Sequence, residues 1–150
     1  MLRNVSREAK AEGLPLETEV GDVNHLELAP ASVDFVLCRS SLHHFLELEH
    51  IFQQIRGALK PNGEFLVLGE VIGRNGLQLY PETEEFLNRL FRTLPARLRT
   101  NSYTGEVDEV VPNVDHSVNL FEAVRSQDIL PELLDHFRPV AHITLDAIIS

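Results

Sequence analysis

Two short apolar runs flank one amphipathic stretch, and the rest of the chain is arranged around them. Val33 and Phe35–Cys38 form the first run, broken only by Asp34. It predicts a strand buried on both faces, as in a parallel sheet covered by helices. From Leu46 to Lys60, Leu48, Ile51, Phe52, Ile55, Ala58 and Leu59 recur at spacings of three and four, which predicts a helix with one apolar face. Lys60-Pro61-Asn62-Gly63 should end it in a tight turn, because Pro61 disfavours helical geometry at Lys60. Phe65–Ile72 is the second apolar run and the second buried strand. Strand, helix, strand at this spacing predicts a right-handed βαβ unit in a parallel sheet.

The flanks are less regular. Leu2, Val5 and Ala9 mark a short N-terminal helix ended by Gly13 and Pro15. Leu16-Glu17-Thr18-Glu19-Val20 alternates apolar and polar residues, predicting a strand near a sheet edge. After a loop over 73–79, Pro81 opens a helix whose apolar face is Phe86, Leu87, Leu90, Phe91 and Leu94, with Pro95 as its end or kink. Arg89, Arg92, Arg97 and Arg99 along it read as a solvated face. Residues 101–117 show no period and predict a binding loop or lid. Ser126 should cap a helix running to Phe137, with Pro131 interrupting its first turns, and Val140–Ile149 alternates as a terminal strand. Residues 1–150 thus read as one domain: a core over 16–72, a substrate-side helix and loop over 73–117, and a C-terminal helix and strand over 118–150.

Charge narrows the choice of partners. With 23 acidic and 13 basic residues the formal net charge is −10, a field that repels phosphate backbones and anionic membranes. One cysteine cannot form an internal disulfide, and Cys38 reads as a small buried hydrophobe. Met1–Arg7 lacks the apolar core of a signal peptide, and no apolar run approaches the ~18 residues of a membrane span. A cytoplasmic protein is expected.

Candidate chemistry gathers where the first buried strand ends in Arg39-Ser40-Ser41 followed by His43 and His44, since ligands bind at the carboxyl ends of strands in open α/β sheets. The histidine pair has no Cys, Asp or Glu near it at metal-ligand spacing, so no metal is expected. Glu70, ending the second run, is a candidate general base or a group that merely bonds the neighbouring loop.

Gly21-Asp22, Val33-Asp34-Phe35-Val36, Leu42-His43-His44 and Ile55-Arg56-Gly57-Ala58-Leu59-Lys60-Pro61-Asn62-Gly63 follow one another in an order that resembles the class I methyltransferases using S-adenosylmethionine, in particular their type 11 branch. The resemblance implies a three-layer, Rossmann-like α/β fold with a mostly parallel sheet. It also implies methyl transfer from S-adenosyl-L-methionine to a small-molecule acceptor. Asp22 matches the acid that accepts from the adenine amino group, and Val23 and Asn24 match positions beside the adenine edge. Arg39 and Ser40 match the wall against the methionine part of the cofactor, and His43 lies near the sulfonium and the substrate entrance. The family's opening strand, glycine-rich turn and acid-ended second strand have no counterpart here, because none of the eight glycines forms the cluster. The chain therefore resembles a family member truncated at its N-terminus, with two central strands missing. An inactive remnant acting as a binding module, self-associating through exposed sheet edges, is the competing expectation. A nicotinamide-dependent enzyme would need the same glycine turn and a catalytic Tyr-Lys or His pair, whereas the only lysines are Lys10 and Lys60.

Overall fold

The computed structural model describes residues 2–144. Helix α1 (Leu2–Ala11) is followed by an extended segment and a single 3-10 turn at Val23–His25. Strand β1 (Val33–Arg39), a 3-10 turn at Leu42–His44, helix α2 (Leu48–Ala58) and strand β2 (Leu59–Leu68) make the βαβ unit. A 3-10 turn at Asn75–Leu77 precedes α3 (Pro81–Phe91), α4 (Ala96–Arg99), α5 (His116–Leu120) and α6 (Ser126–His136).

β1 and β2 pair in parallel, Val36 opposite Phe65 and Cys38 opposite Val67. The ladder slips after Val33↔Leu59, so that Phe35 next faces Glu64 and residues 60–63 bulge out. Asn62 takes the left-handed conformation there (φ 68°). Gly63 is squeezed against main chain: a Cβ on it would lie 3.0 Å from the Lys60 carbonyl and 3.1 Å from that of Asp34. The Asn-Gly turn is thus built into the start of the second strand. Helix α2 ends as its carbonyls find new donors, the Ala31 and Ser32 N–H groups bonding the Gly57 and Ala58 oxygens.

The core lies on one face of this sheet. Leu42, Leu48, Ile51, Phe52 and Ile55 are buried with Ile129 of α6, and Val36, Cys38, Phe65, Val67, Leu133 and Phe137 pack against them. Phe52 sits at the centre, with the Phe65 and Phe137 rings at 6.1 and 5.9 Å from its own. Cys38, expected to be a buried apolar residue, is half-buried against the core with its sulfur at 2.9 Å from the Ser41 hydroxyl, and burial pushes its thiol pKa up.

Several expectations are corrected. The apolar runs are not buried on both faces: Phe35 and Leu37 are 50% and 54% exposed, and Leu66 and Leu68 are exposed beside them. Each strand turns only alternate residues to the core, and among the described residues the opposite face stays open. The fold is accordingly an incomplete Rossmann-like α/β arrangement, with a two-stranded parallel sheet among the described residues. Leu16–Val20 forms no strand, since alternation alone gives no ladder partner and its exposed residues meet no sheet. β2 stops at Leu68 rather than Ile72. Pro131 lies inside α6 without ending it, and Ser126 is its first residue rather than its cap. Residues 140–144 form no strand, and the rest of the expected terminal strand lies outside the described residues.

The one-sided core makes a prediction. Phe52→Ala should cost about 3–5 kcal/mol in urea unfolding, whereas Leu37→Ala, on the open face, should cost less than about 1 kcal/mol.

Candidate functional site

The N-terminal part of the site is a turn built by three polar residues, Asp22, Asn24 and His25. Asp22 is the N-cap of the Val23–His25 turn, its Oδ1 accepting from the Asn24 backbone N–H and side-chain Nδ2, each at 3.0 Å. Its Oδ2 meets His25 Nδ1 at 2.9 Å. The Asn24 backbone N–H, then its side-chain amide and His25, hold the Asp22 carboxyl below the usual carboxylate range. The group is ionised and exposed. Asn24 also reaches outward: its Oδ1 accepts from the Leu46 and Glu47 N–H groups at 2.9 and 3.1 Å. This one side chain joins the turn to the entry of α2.

Between those two segments lies a cleft of about 480 Å³, lined by Asp22, Asn24, His25, Glu27, Leu46, Glu47 and His50. Val23 turns the other way and packs against the core. Of the three residues expected at an adenine edge, Asp22 and Asn24 line the cleft, and only Val23's backbone remains for such a role. Arg39 and Ser40 are not among the cleft's lining residues.

Arg39 and Ser40 end β1, and there both strands turn sharply. Ser40 is left-handed (φ 47°) and donates through Oγ to the Gly69 carbonyl at 3.1 Å. Gly69, just after β2, is left-handed too (φ 63°), and a Cβ on it would come within 2.9 Å of Ser40 Oγ. A side chain there would displace the Ser40 hydroxyl and strain a left-handed backbone that glycine adopts freely. The turn delivers Glu70 beneath the Leu42–His44 turn, where its side chain is 2% exposed. Glu70 Oε1 accepts from the Ser41 and Leu42 N–H groups at 2.7 and 3.1 Å. Oε2 accepts from the His43 N–H at 3.3 Å and meets His43 Nδ1 at 2.9 Å. A general base needs a lone pair facing its substrate, and both Glu70 oxygens are engaged within the protein. Glu70 caps the turn and orients His43.

Both histidines are fixed by what they touch. A carboxylate accepts, so Nδ1 of His43 donates to Glu70, and Nε2 is the ring nitrogen left for another partner. His44 Nδ1 donates to the Phe121 carbonyl at 2.7 Å, which leaves its Nε2 for another partner as well. The two rings lie 4.1 Å apart, centroid to centroid. Glu122 faces both, its Oε2 at 3.4 Å from His43 Nε2 and 3.8 Å from His44 Nε2. Sequence spacing gave no sign of Glu122, which reaches the pair only because the chain returns through a distant loop. The Val124 N–H donates to the His43 carbonyl at 2.9 Å, and Phe121 and Ala123 on either side of Glu122 are both left-handed (φ 57° and 54°).

Arg125 completes the frame. Its Nη1 and Nη2 donate to Glu49 at 2.7 and 2.6 Å, Nη1 also to the Leu46 carbonyl at 2.7 Å, and Nε to Asp128 at 2.9 Å. The side-chain bond to Arg125 is the main reason that the Glu49 carboxyl falls from 4.5 to about 2. Leu46, the apolar lip of the cleft, is thus held by Asn24 from one side and Arg125 from the other.

The family described as "Methyltransferase domain" matches residues 1–67 of this chain. That stretch runs from α1 through the cleft and both strands, and it stops before Glu70, Glu122 and Arg125. No curated protein and no solved structure matches the chain.

Two measurements check this geometry. A carboxyl whose folded value is depressed stabilises the fold above its ordinary value, and the stabilisation is lost as pH falls. The Glu49–Arg125 clasp should therefore contribute fully above about pH 5 and progressively less from 4.5 down towards about 2. With Glu49 46% exposed, solvent screening limits the contribution to about 1 kcal/mol. The stability difference between wild type and Glu49→Gln, from urea unfolding at a series of pH values, should shrink over that range. Separately, Glu70→Ala leaves three backbone N–H groups without their acceptor and should cost at least about 3 kcal/mol by the same assay.

Proposed function

We propose that this chain, whose residues 1–67 match a methyltransferase-domain family, binds S-adenosyl-L-methionine and transfers a methyl group to a small-molecule acceptor. The observation that carries the reading is Asp22: an ionised, exposed carboxylate on the lip of a cleft with an apolar wall, Leu46, at the position where the family pattern has its adenine-binding acid. A carboxylate there can accept from an exocyclic amino group, a charge-assisted bond of about 1.5–3 kcal/mol. The Val23 and Asn24 backbone stands beside it for the ring edge. Arg39 and Ser40, at the carboxyl end of β1, are the residues for the methionine portion, the exposed guanidinium being suited to its carboxylate.

The bound cofactor supplies an electrophilic methyl on a sulfonium whose leaving thioether is neutral. Such a reaction asks the protein for in-line placement and exclusion of water rather than a strong acid. His43, oriented by Glu70, stands on the acceptor side in this reading. The net charge of −10 favours a small acceptor over nucleic acid or a membrane surface, and the single cysteine favours the cytoplasm. No helix among the described residues is long and apolar enough to cross a membrane.

A second reading is favoured by the open sheet face, where Phe35, Leu37, Leu66 and Leu68 stand exposed. In it the chain is an inactive methyltransferase remnant that pairs through its free strand edges or that face, with an intact homologue or a second copy. Calorimetry with S-adenosylhomocysteine separates the two. Saturable heat that Asp22→Ala reduces by at least tenfold in affinity supports cofactor binding. A folded sample giving no heat overturns it and leaves the interaction module.

A further inference from the structure

The Nε2 atoms of His43 and His44 and a carboxylate oxygen of Glu122 converge beside the histidine turn. Glu70 and the Phe121 carbonyl engage Nδ1 of the two rings, so Nε2 is the nitrogen each has left for a further partner. An imidazole protonated at Nδ1 offers Nε2 as an acceptor, and two such nitrogens beside a carboxylate oxygen favour a cation between them. We propose that His43, His44 and Glu122 bind a divalent transition-metal ion of the zinc class.

The distances fit. With metal–nitrogen and metal–oxygen bonds of about 2.0–2.1 Å, adjacent ligands of a tetrahedral ion stand about 3.3 Å apart. Glu122 Oε2 lies 3.4 and 3.8 Å from the two nitrogens, and the ligand atoms of all three residues fall within 4.8 Å of one another. These separations exceed ordinary hydrogen-bond lengths, so they are not explained by a direct bond. Small side-chain movements would close the site.

The surroundings fit as well. Metal-bound histidines donate their second ring N–H to a carboxylate or a backbone carbonyl, which fixes the tautomer and raises ligand basicity. His43 has the carboxylate and His44 the carbonyl. The carboxylate, Glu70, is itself held by three backbone N–H groups, so His43 is placed before any ion arrives. Glu122 is carried between two left-handed non-glycine residues, a costly conformation clasped by the His44–Phe121 and Val124–His43 bonds.

Two nitrogens and one oxygen select zinc, cobalt, nickel or ferrous iron over magnesium and calcium, which take oxygen ligands. His43 is nearly buried, whereas His44 and Glu122 are partly exposed, so the fourth position faces solvent. That is the arrangement of a site that keeps a place for water or an oxygen-donor ligand. Its existence does not require the cofactor reading, because the ion is bound by different groups from the cleft at Asp22.

Titration of the full chain with cobalt(II) tests the site without any cofactor. One equivalent should bind with the intense visible absorption of a four-coordinate ion, and zinc should displace it. Glu122→Gln and His44→Ala should each weaken binding by at least tenfold and abolish the band. Both side chains are partly exposed, so circular dichroism should show the variants folded, and either one suffices if the other fails to fold. His142→Ala, an exposed histidine elsewhere, should bind as the wild type does. A folded wild type showing no band, or a band unchanged in the folded variants, overturns the proposal.

Discussion

A carboxylate with no access to solvent organises this molecule. Glu70 emerges from the second strand through a left-handed glycine and accepts from three successive N–H groups following the first strand. Those donors open a short turn and have no partner within it, so an acceptor must come from elsewhere. Because one residue satisfies them all, the two strand ends and the histidine pair are set relative to one another. The Ser40–Gly69 contact at the same level uses the left-handed backbone that glycine adopts freely. The orientation of His43, the direction of its free nitrogen and the approach of Glu122 all depend on this arrangement.

The local elements were legible because their signals are local. Spacings of three and four placed the main helix, Leu48–Ala58 within the expected Leu46–Lys60, and the Asn-Gly turn appeared at Asn62-Gly63. Proline at the first position of Pro81–Phe91 marked that helix correctly. Periodicity misled where it stood in for a partner. Leu16–Val20 alternates as a strand would, yet a strand exists only when a neighbour completes its ladder. The runs at Val33–Cys38 and Phe65–Ile72 read as buried strands because an apolar side chain shows hydrophobicity, not what covers it. At the site, Asp22 and the histidines were visible in sequence. Glu122 and Arg125 were not, since neither sits at a spacing that reports a contact across a fold.

The open sheet face and the clasp at Arg125 describe opposite halves of one molecule. Leu46 and Glu49, at the entry to the second helix, are tied down by a residue 76 to 79 positions away, through a bidentate pair and a carbonyl bond. The far side of the sheet, lined by Phe35 and Leu37, has no such closure among the described residues. Apolar side chains left in water on a strand pair with free edges form a surface suited to association. Long-range polar closure and apolar exposure thus fall on different parts of the molecule.

The link between His44 and Phe121 spans 77 residues of chain. Joining its ends carries a loop-closure entropy that a strand–helix–strand unit, whose partners are near in sequence, does not incur to the same degree. The histidine turn can thus be assembled from contacts made early, within the segment ending at Glu70. The three converging side chains thus come from segments far apart in sequence, and closing their constellation carries a larger loop-closure entropy than forming the histidine turn alone.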